Sequence, residues 1–230
     1  MKINEIFLSI NGEVTAAHQG RLAVFIRMAG CNLVESFSVR RDSRPCSYCD
    51  TPNAQYLYQG KELRIAAILK EVKKQAKGTR YVTITGGEPL LQKEDLQKLV
   101  VELSLLGFLV TLETNGTLDI PQWGRAVHSW VADWKLPSSG VSELASLGNI
   151  KTILKNQDNR NFLKFVIQDR KDFVAARNVI TEVNGYINIA LSPNLNVLSP
   201  RVLLNWIKQV ETKNWSPILN LQLHKIIDVK

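Results

Sequence analysis

Residues 81–89 read Tyr81-Val82-Thr83-Ile84-Thr85-Gly86-Gly87-Glu88-Pro89. The first five are β-branched or aromatic and suit a strand. The glycine pair and the proline end it in a turn. Residues 94–106 then carry Leu96, Leu99, Val100 and Leu103 at helical spacing, with Gly107 just past the end. A second strand, 108–113 (FLVTLE), follows at once. Strand, turn, helix and strand in that order form a βαβ unit, whose ligands gather at the carboxyl ends of its strands.

The same alternation extends in both directions. Before the unit, residues 3–9 (INEIFLS) and 22–28 (LAVFIRM) read as strands, and 63–76 as a helix. Ile65, Ile68, Leu69, Val72 and Ala76 share one face of that helix, and Gly78 stops it. After the unit, strands are predicted at 128–133, 162–168, 186–191 and 217–223 (PILNLQL), with helices at 171–181 and 201–211. Ser199-Pro200 opens the last helix as a cap residue followed by proline at the first helical position. This repetition predicts an α/β chain on a parallel sheet. No linker, repeat or low-complexity tract divides it, so residues 1–230 are expected to form one domain.

Composition narrows the class. The chain is 45% hydrophobic and 22% charged, ordinary for a globular protein with a real core. No apolar run approaches the roughly 20 residues of a membrane span. The opening residues lack the apolar core and cleavage site of a signal peptide, so a cytoplasmic location is expected. The net charge of +8 favours anionic partners. Lys and Arg are scattered, with Arg40, Arg41 and Arg44 the densest group, and no nucleic-acid recognition motif accompanies them. An acidic electron-transfer protein explains the charge at least as well.

The chain has three cysteines, Cys31, Cys46 and Cys49, and residues 50–230 contain none. An odd, tightly clustered set in a cytosolic chain argues against disulfides. A structural zinc site wants four ligands, and His18 is the nearby candidate for the fourth. Three thiolates also suit a [4Fe–4S] cluster that keeps one iron open for a ligand. Inert buried cysteines are the remaining reading.

Cysteine loop and Thr85-Gly86-Gly87-Glu88-Pro89 together resemble the radical S-adenosylmethionine superfamily, whose fold is an incomplete (partial) β/α barrel. Further blocks resemble one family within it, 7-carboxy-7-deazaguanine synthase. They are Ile6–Glu13, Phe25–Leu33, Cys49-Asp50-Thr51, Leu112–Gly116, Asp133–Ser139 and Leu223-His224-Lys225, which run in order along nearly the whole chain. There are two departures. The cluster loop, at about 31–49, is some eleven residues longer than in most of the superfamily, although a subset of these synthases shares it. The family's usual Gln-Gly-Glu-Gly is Asn11-Gly12-Glu13-Val14 here.

The resemblance implies radical ring contraction of 6-carboxy-5,6,7,8-tetrahydropterin to 7-carboxy-7-deazaguanine, with loss of ammonia. It implies a cluster on the three cysteines, S-adenosylmethionine, and a Mg²⁺ bound by Thr51. The S-adenosylmethionine pocket would take Tyr48, Asp50, Gly87, Glu88, Asp133, Lys135, Ser138, Ser192, Pro193 and Asn194. The pterin would take Ile10, Asn11, Gly12, Glu13, Arg27, Thr85, Glu113, His224 and the terminal carboxylate of Lys230. Chemistry supports particular members. A guanidinium such as Arg27 can hold a carboxylate with two parallel hydrogen bonds, and a carboxylate such as Glu113 suits the donor edge of a pterin. Each also has a plainer reading: a salt bridge for Arg27, an acceptor for loop amides for Glu113, a turn for Asn11-Gly12, a helix cap for Thr51. The family further implies a homodimer and a small acidic flavodoxin as electron donor. A glycyl-radical activating enzyme would share the cluster and the glycine turn without needing Arg27, Glu113 and His224 together. A zinc-binding or nucleic-acid-binding protein is the non-enzymatic alternative.

Overall fold

A computed structural model describes residues 1–37, 46, 48–123, 126–155, 159–183, 187–211 and 215–229. Arg40, Arg41, Arg44 and Lys230 lie outside the described residues. The strands are β1 Lys2–Ile10, β2 Leu22–Met28, β3 Lys61–Glu62, β4 Tyr81–Gly86, β5 Leu109–Thr114, β6 Ser129–Trp134, β7 Phe162–Ile167, β8 Asn188–Pro193 and β9 Ile218–Leu219. They form one open sheet in the order β3-β1-β2-β4-β5-β6-β7-β8-β9. The helices are α1 Asn32–Phe37, α2 Ile65–Ala76, α3 Lys93–Leu105, α4 Leu147–Lys155, α5 Arg170–Val183, α6 Pro200–Lys208 and α7 Leu223–Ile226. This is the partial β/α barrel expected from the sequence.

The sheet is parallel from β2 to β9, but β1 runs antiparallel to both β2 and β3. The connection between β1 and β2 explains this correction. It spans only residues 11–21 and holds no helix, whereas a parallel return needs a crossover of a dozen or more residues. A second correction falls at the end of the chain. The strand expected at 217–223 is extended only at Ile218–Leu219, and Leu223 already begins α7. There the backbone turns from the sheet to the first loop, and the Leu223 amide donates to Gly12 O at 2.8 Å. Helix α4 went unread, because Ser, Gly and Asn around it obscure the face formed by Ile150, Thr152 and Ile153.

The two faces of the sheet have different contents because side chains alternate along a strand. Val82, Ile84, Val110, Leu112, Leu163, Phe165 and Leu191 point outward into the main core, against Leu96, Leu99 and Leu103 of α3 and Phe173 of α5. The inner face carries Thr83, Thr85, Thr111, Glu113, Ser129, Asp133 and Lys164. Loop 11–21 crosses this inner face: Val14 packs with Val131, Phe162 and Ala190 in a small second core. Thr15 and Thr111 hydroxyls meet at 2.8 Å. The carboxyl half of the inner face is left for the cavity.

Asp172 in the first turn of α5 ties a helix to that half. Its buried carboxylate accepts from the Ser138 amide and the Gln168 amide, each at 3.0 Å, and so holds the turn after β6 against the end of β7. Asp172→Ala would leave two amides without acceptors and is expected to cost about 3 kcal/mol. Urea unfolding followed by circular dichroism checks this, and Asp172→Asn should lose less because one acceptor oxygen remains.

Candidate active site

The carboxyl ends of the strands surround a cavity of about 460 Å³, within the usual range for small-molecule sites. All three cysteines line it as free thiols. Cys31 follows β2 by three residues, and its amide donates to Gln55 O at 2.8 Å. The Cys49 amide donates to Cys46 O at 2.9 Å, which holds these two cysteines together. Burial pushes the Cys31 thiol up to about 11 and also raises Cys46. Thiols in such a setting ionise only with strong positive charge beside them, which a bound metal supplies. His18 is exposed and does not line this cavity. Among the described residues, no three His, Cys, Asp or Glu side chains converge on a single metal-ion position.

The glycine turn lies against the chain that leads into Cys31. The Gly87 amide donates to Met28 O at 2.9 Å and the Glu88 amide to Gly30 O at 2.7 Å. A Cβ on Gly87 would collide with Gly30 O, so no other residue allows this approach. Gly86 and Gly87 line the cavity, but Glu88 does not. Its fully buried carboxylate accepts from the Leu90 amide (2.9 Å), Thr114 Oγ1 (2.9 Å) and the Asn115 amide (2.7 Å). It thereby bolts the turn after β4 to the end of β5.

A row of charges crosses the floor. Lys135 sits 3.0 Å from Asp133 and lies over the Tyr48 ring, 5.7 Å from its centre. Lys164 lies 3.2 Å from the other Asp133 oxygen and pairs closely with Glu13. The second oxygen of Glu13 accepts from Gln222. Burial opposes ionisation of Asp133, yet Lys135 and Lys164 hold its carboxyl below the usual range. Glu113 feels Lys164 as well, but burial and Glu13 outweigh it. Its carboxylate accepts from Thr85 Oγ1 at 2.7 Å, and burial together with Glu13 pushes it up to about 7.

The rim carries the remaining groups. Arg27 pairs with Glu5 at 2.9 Å, donates to Thr51 Oγ1 at 3.2 Å and stacks over Phe7. It therefore forms the salt bridge of its plainer reading, but inside the cavity rather than on the outer surface. Thr51 donates to Asp50, which pairs with Lys225 at 2.9 Å and so joins the tail to the cysteine loop. His224 packs directly on Gly12, where a Cβ would collide with its Nδ1. Burial pulls its imidazole below the ordinary range, favouring the neutral ring.

Most residues singled out in the sequence meet at this cavity. Ile10, Gly12, Glu13, Arg27, Thr85, Glu113 and His224 line it with Tyr48, Asp50, Thr51, Gly87, Asp133, Lys135 and Asn194. Asn11, Glu88, Ser138, Ser192 and Pro193 do not. Asn11 turns inward, its Oδ1 accepting from Thr83 at 2.8 Å, while its buried Nδ2 has no partner among the described residues. Ser192 Oγ accepts from Asn220 at 2.7 Å. Sequence reading passed over Lys164, Gln222 and Glu5. The signal for Lys164 was present, a single charge inside the apolar strand FLKFVI.

The raised Glu113 carboxyl has a consequence for stability. The folded protein holds this proton more tightly than the unfolded chain, so stability falls as pH rises from the ordinary carboxylate range through about 7. Glu113→Gln removes that loss. Its stability relative to the parent should increase between pH 5 and pH 8, by up to about 3 kcal/mol. Denaturation midpoints of both proteins at the two pH values check this.

Residues 39–128 match the family described as the radical SAM superfamily. A 7-carboxy-7-deazaguanine synthase of Clostridium acetobutylicum is 35% identical, over 98% of this chain and 95% of its own. Proteins of the same name from Methanospirillum hungatei (34% identical, 99% and 85%) and Leptospira interrogans (30% identical, 98% and 94%) match at similar length. Membership of this superfamily implies a [4Fe–4S] cluster and S-adenosylmethionine, and three free thiols lining one cavity are a donor set such a cluster can take. The chain belongs to the 7-carboxy-7-deazaguanine synthase family of the radical S-adenosylmethionine superfamily.

Proposed function

We propose that the protein converts 6-carboxy-5,6,7,8-tetrahydropterin to 7-carboxy-7-deazaguanine and ammonia, as a carbon–nitrogen lyase of 7-deazapurine (queuosine precursor) biosynthesis. The observation that carries this reading is that Arg27, Glu113 and His224, from β2, β5 and the tail, face the same cavity as the three thiols. When bound, the cluster and S-adenosylmethionine supply the radical chemistry. Cys31, Cys46 and Cys49 would hold the cluster. Gly87, Lys135, Asp133, Tyr48, Asp50 and Asn194 are placed to receive S-adenosylmethionine.

The chain's own residues explain how the pterin would be held. Arg27 offers its guanidinium to the substrate carboxylate, with Glu5 and Phe7 fixing its plane. Glu113, when ionised, accepts from the amino group and ring N–H of the pterin. The backbone at Ile10 and Gly12 and the neutral His224 ring, which rests on Gly12, would complete its surroundings. Thr51 Oγ1, within reach of Arg27 and Asp50, would bind Mg²⁺ beside the substrate carboxylate. A homodimer, a small acidic flavodoxin as donor and a cytoplasmic location complete the reading. Among the described residues, no helix is long and apolar enough to cross a membrane.

Anaerobically reconstituted protein given the pterin, S-adenosylmethionine, Mg²⁺ and a reductant should form the deazapurine and ammonia in equal amounts. Cleavage of S-adenosylmethionine with the pterin unchanged would refute this substrate and favour a protein-activating enzyme. Arg27→Ala should keep its iron while binding the pterin at least about tenfold more weakly, since it loses a charge-assisted pair. Iron analysis and calorimetric titration check the two halves of that expectation.

A further inference from the structure

Lys164 lines the cavity without a role in the reading above. It lies on the inner face of β7, in register with Asp133 of β6, which makes the two a cross-strand pair. The lysine is 9% exposed, and its ammonium is held between Asp133 and Glu13. Each carboxylate then reaches further. Glu13 takes the Gln222 amide, two residues before His224. Asp133 takes Lys135, which lies over Tyr48 beside the thiols. A continuous chain of polar contacts, Gln222–Glu13–Lys164–Asp133–Lys135, thus joins the tail to the cysteine wall. Without Lys164 the chain breaks in the middle, Glu13 loses its ion pair and Glu113 loses a charge that favours its ionised form.

We propose that Lys164 is a positioning residue that, through Glu13 on one side and Asp133 on the other, fixes the pterin half and the S-adenosylmethionine half of the cavity relative to each other. Both halves rest on the residue assignments of the proposed function, while the use of S-adenosylmethionine itself follows from the family. The inner-face location argues for this role over simple packing. A buried ammonium is costly to desolvate, and a strand that needed only packing would carry an apolar residue there. Lys164 also sets the charge felt by Glu113. That carboxyl faces Glu13 from the first loop, Asp133 from β6, Lys164 from β7 and the uncharged Thr85 from β4. Beyond them stand His224, Lys135 and Arg27, with Asp50 and Lys225 at the rim. Lys164 is the nearest cation, so its removal moves Glu113 protonation to higher pH.

The test uses anaerobic, cluster-loaded protein without reductant. S-adenosylmethionine and 6-carboxytetrahydropterin are each titrated by calorimetry from pH 5.5 to 8.5, and iron content is measured alongside. Lys164→Met is expected to keep its iron and to lose at least about tenfold in affinity for both ligands. Pterin affinity, which should rise with pH as Glu113 ionises, is expected to rise at higher pH than in the parent. Lys164→Arg should restore most of the affinity for both. Lys164→Met with parental affinity for either ligand, or an unmoved pterin pH profile, overturns the proposal. If Lys164→Met does not fold, the neutral pair Glu13→Gln/Lys164→Gln takes its place. The same loss for S-adenosylmethionine is expected there, and parental affinity overturns the proposal. Parent protein that binds S-adenosylmethionine but not the pterin refutes the proposed substrate alone. The S-adenosylmethionine titrations of the variants then still decide the role of Lys164.

Discussion

The contact on which the site depends is between two stretches of backbone, Gly86-Gly87-Glu88 and Met28-Ala29-Gly30. Two amides of the first donate to two carbonyls of the second, at 2.9 and 2.7 Å. The approach is possible only because Gly87 has no Cβ. The consequence reaches well past the turn. Residue 31 is the first of the three cysteines on the cavity, so its position is fixed by the end of β4 as well as by β2. Glu88 carries the constraint one strand further, to Thr114 and Asn115. Burying that carboxylate raises its proton affinity, and three donors oppose the shift. With fewer donors the group would be an uncompensated buried charge, which proteins rarely tolerate.

A parallel sheet explains why the rest of the site can be so polar. Its outer face, covered by helices, supplies the main core. The inner face is relieved of that task and is filled at one end by loop 11–21, where Val14 meets Val131, Phe162 and Ala190. At the other end the same strands present Thr85, Glu113, Asp133 and Lys164. Charges at this depth are held only in compensated sets, so the pairs across β6 and β7 are a condition for having a polar cavity at all. Glu113 is the member left without close compensation, and it is the one whose carboxyl is pushed toward neutrality.

Much of this was legible from local pattern. The outward positions of α3 and the strand ends around Thr85 and Glu113 follow from period and turn chemistry, as does the Ser199-Pro200 start of α6. What local pattern could not show is which way a buried polar side chain turns. Asn11 and Ser192 stand in the expected blocks, yet they bond to Thr83 and Asn220 rather than facing the cavity. Glu88 is at the right turn and points to the far side of it. Lys164 was missed for the opposite reason. Its partners, Glu13 and Asp133, are 151 and 31 residues away in sequence, so the reason for a lysine in an apolar strand appears only when β6 and β7 are set in register. The last strand was overestimated because residues 217–223 are apolar enough for the sheet but spend their hydrogen bonds on the first loop.

That last exchange also joins the two ends of the cavity's frame. An open sheet leaves its two ends apart, and among the described residues the strand ladder does not join β9 to β1. The join is made by side chains and by loop backbone. Asn220 accepts from the Val14 amide at 3.0 Å, Leu223 donates to Gly12, and the His224 ring seats on the Gly12 backbone. Lys225 then reaches Asp50 in the cysteine loop. The tail therefore spans from the first loop to the thiol wall and contacts both halves of the site. Few residues of this strap are buried. It is held by Asn220, by Gln222 on Glu13, by the Leu223 amide and the His224 ring on Gly12, and by the half-exposed Lys225–Asp50 pair, so the first loop and the cysteine loop are tied together by side chains and loop backbone rather than by the strand ladder.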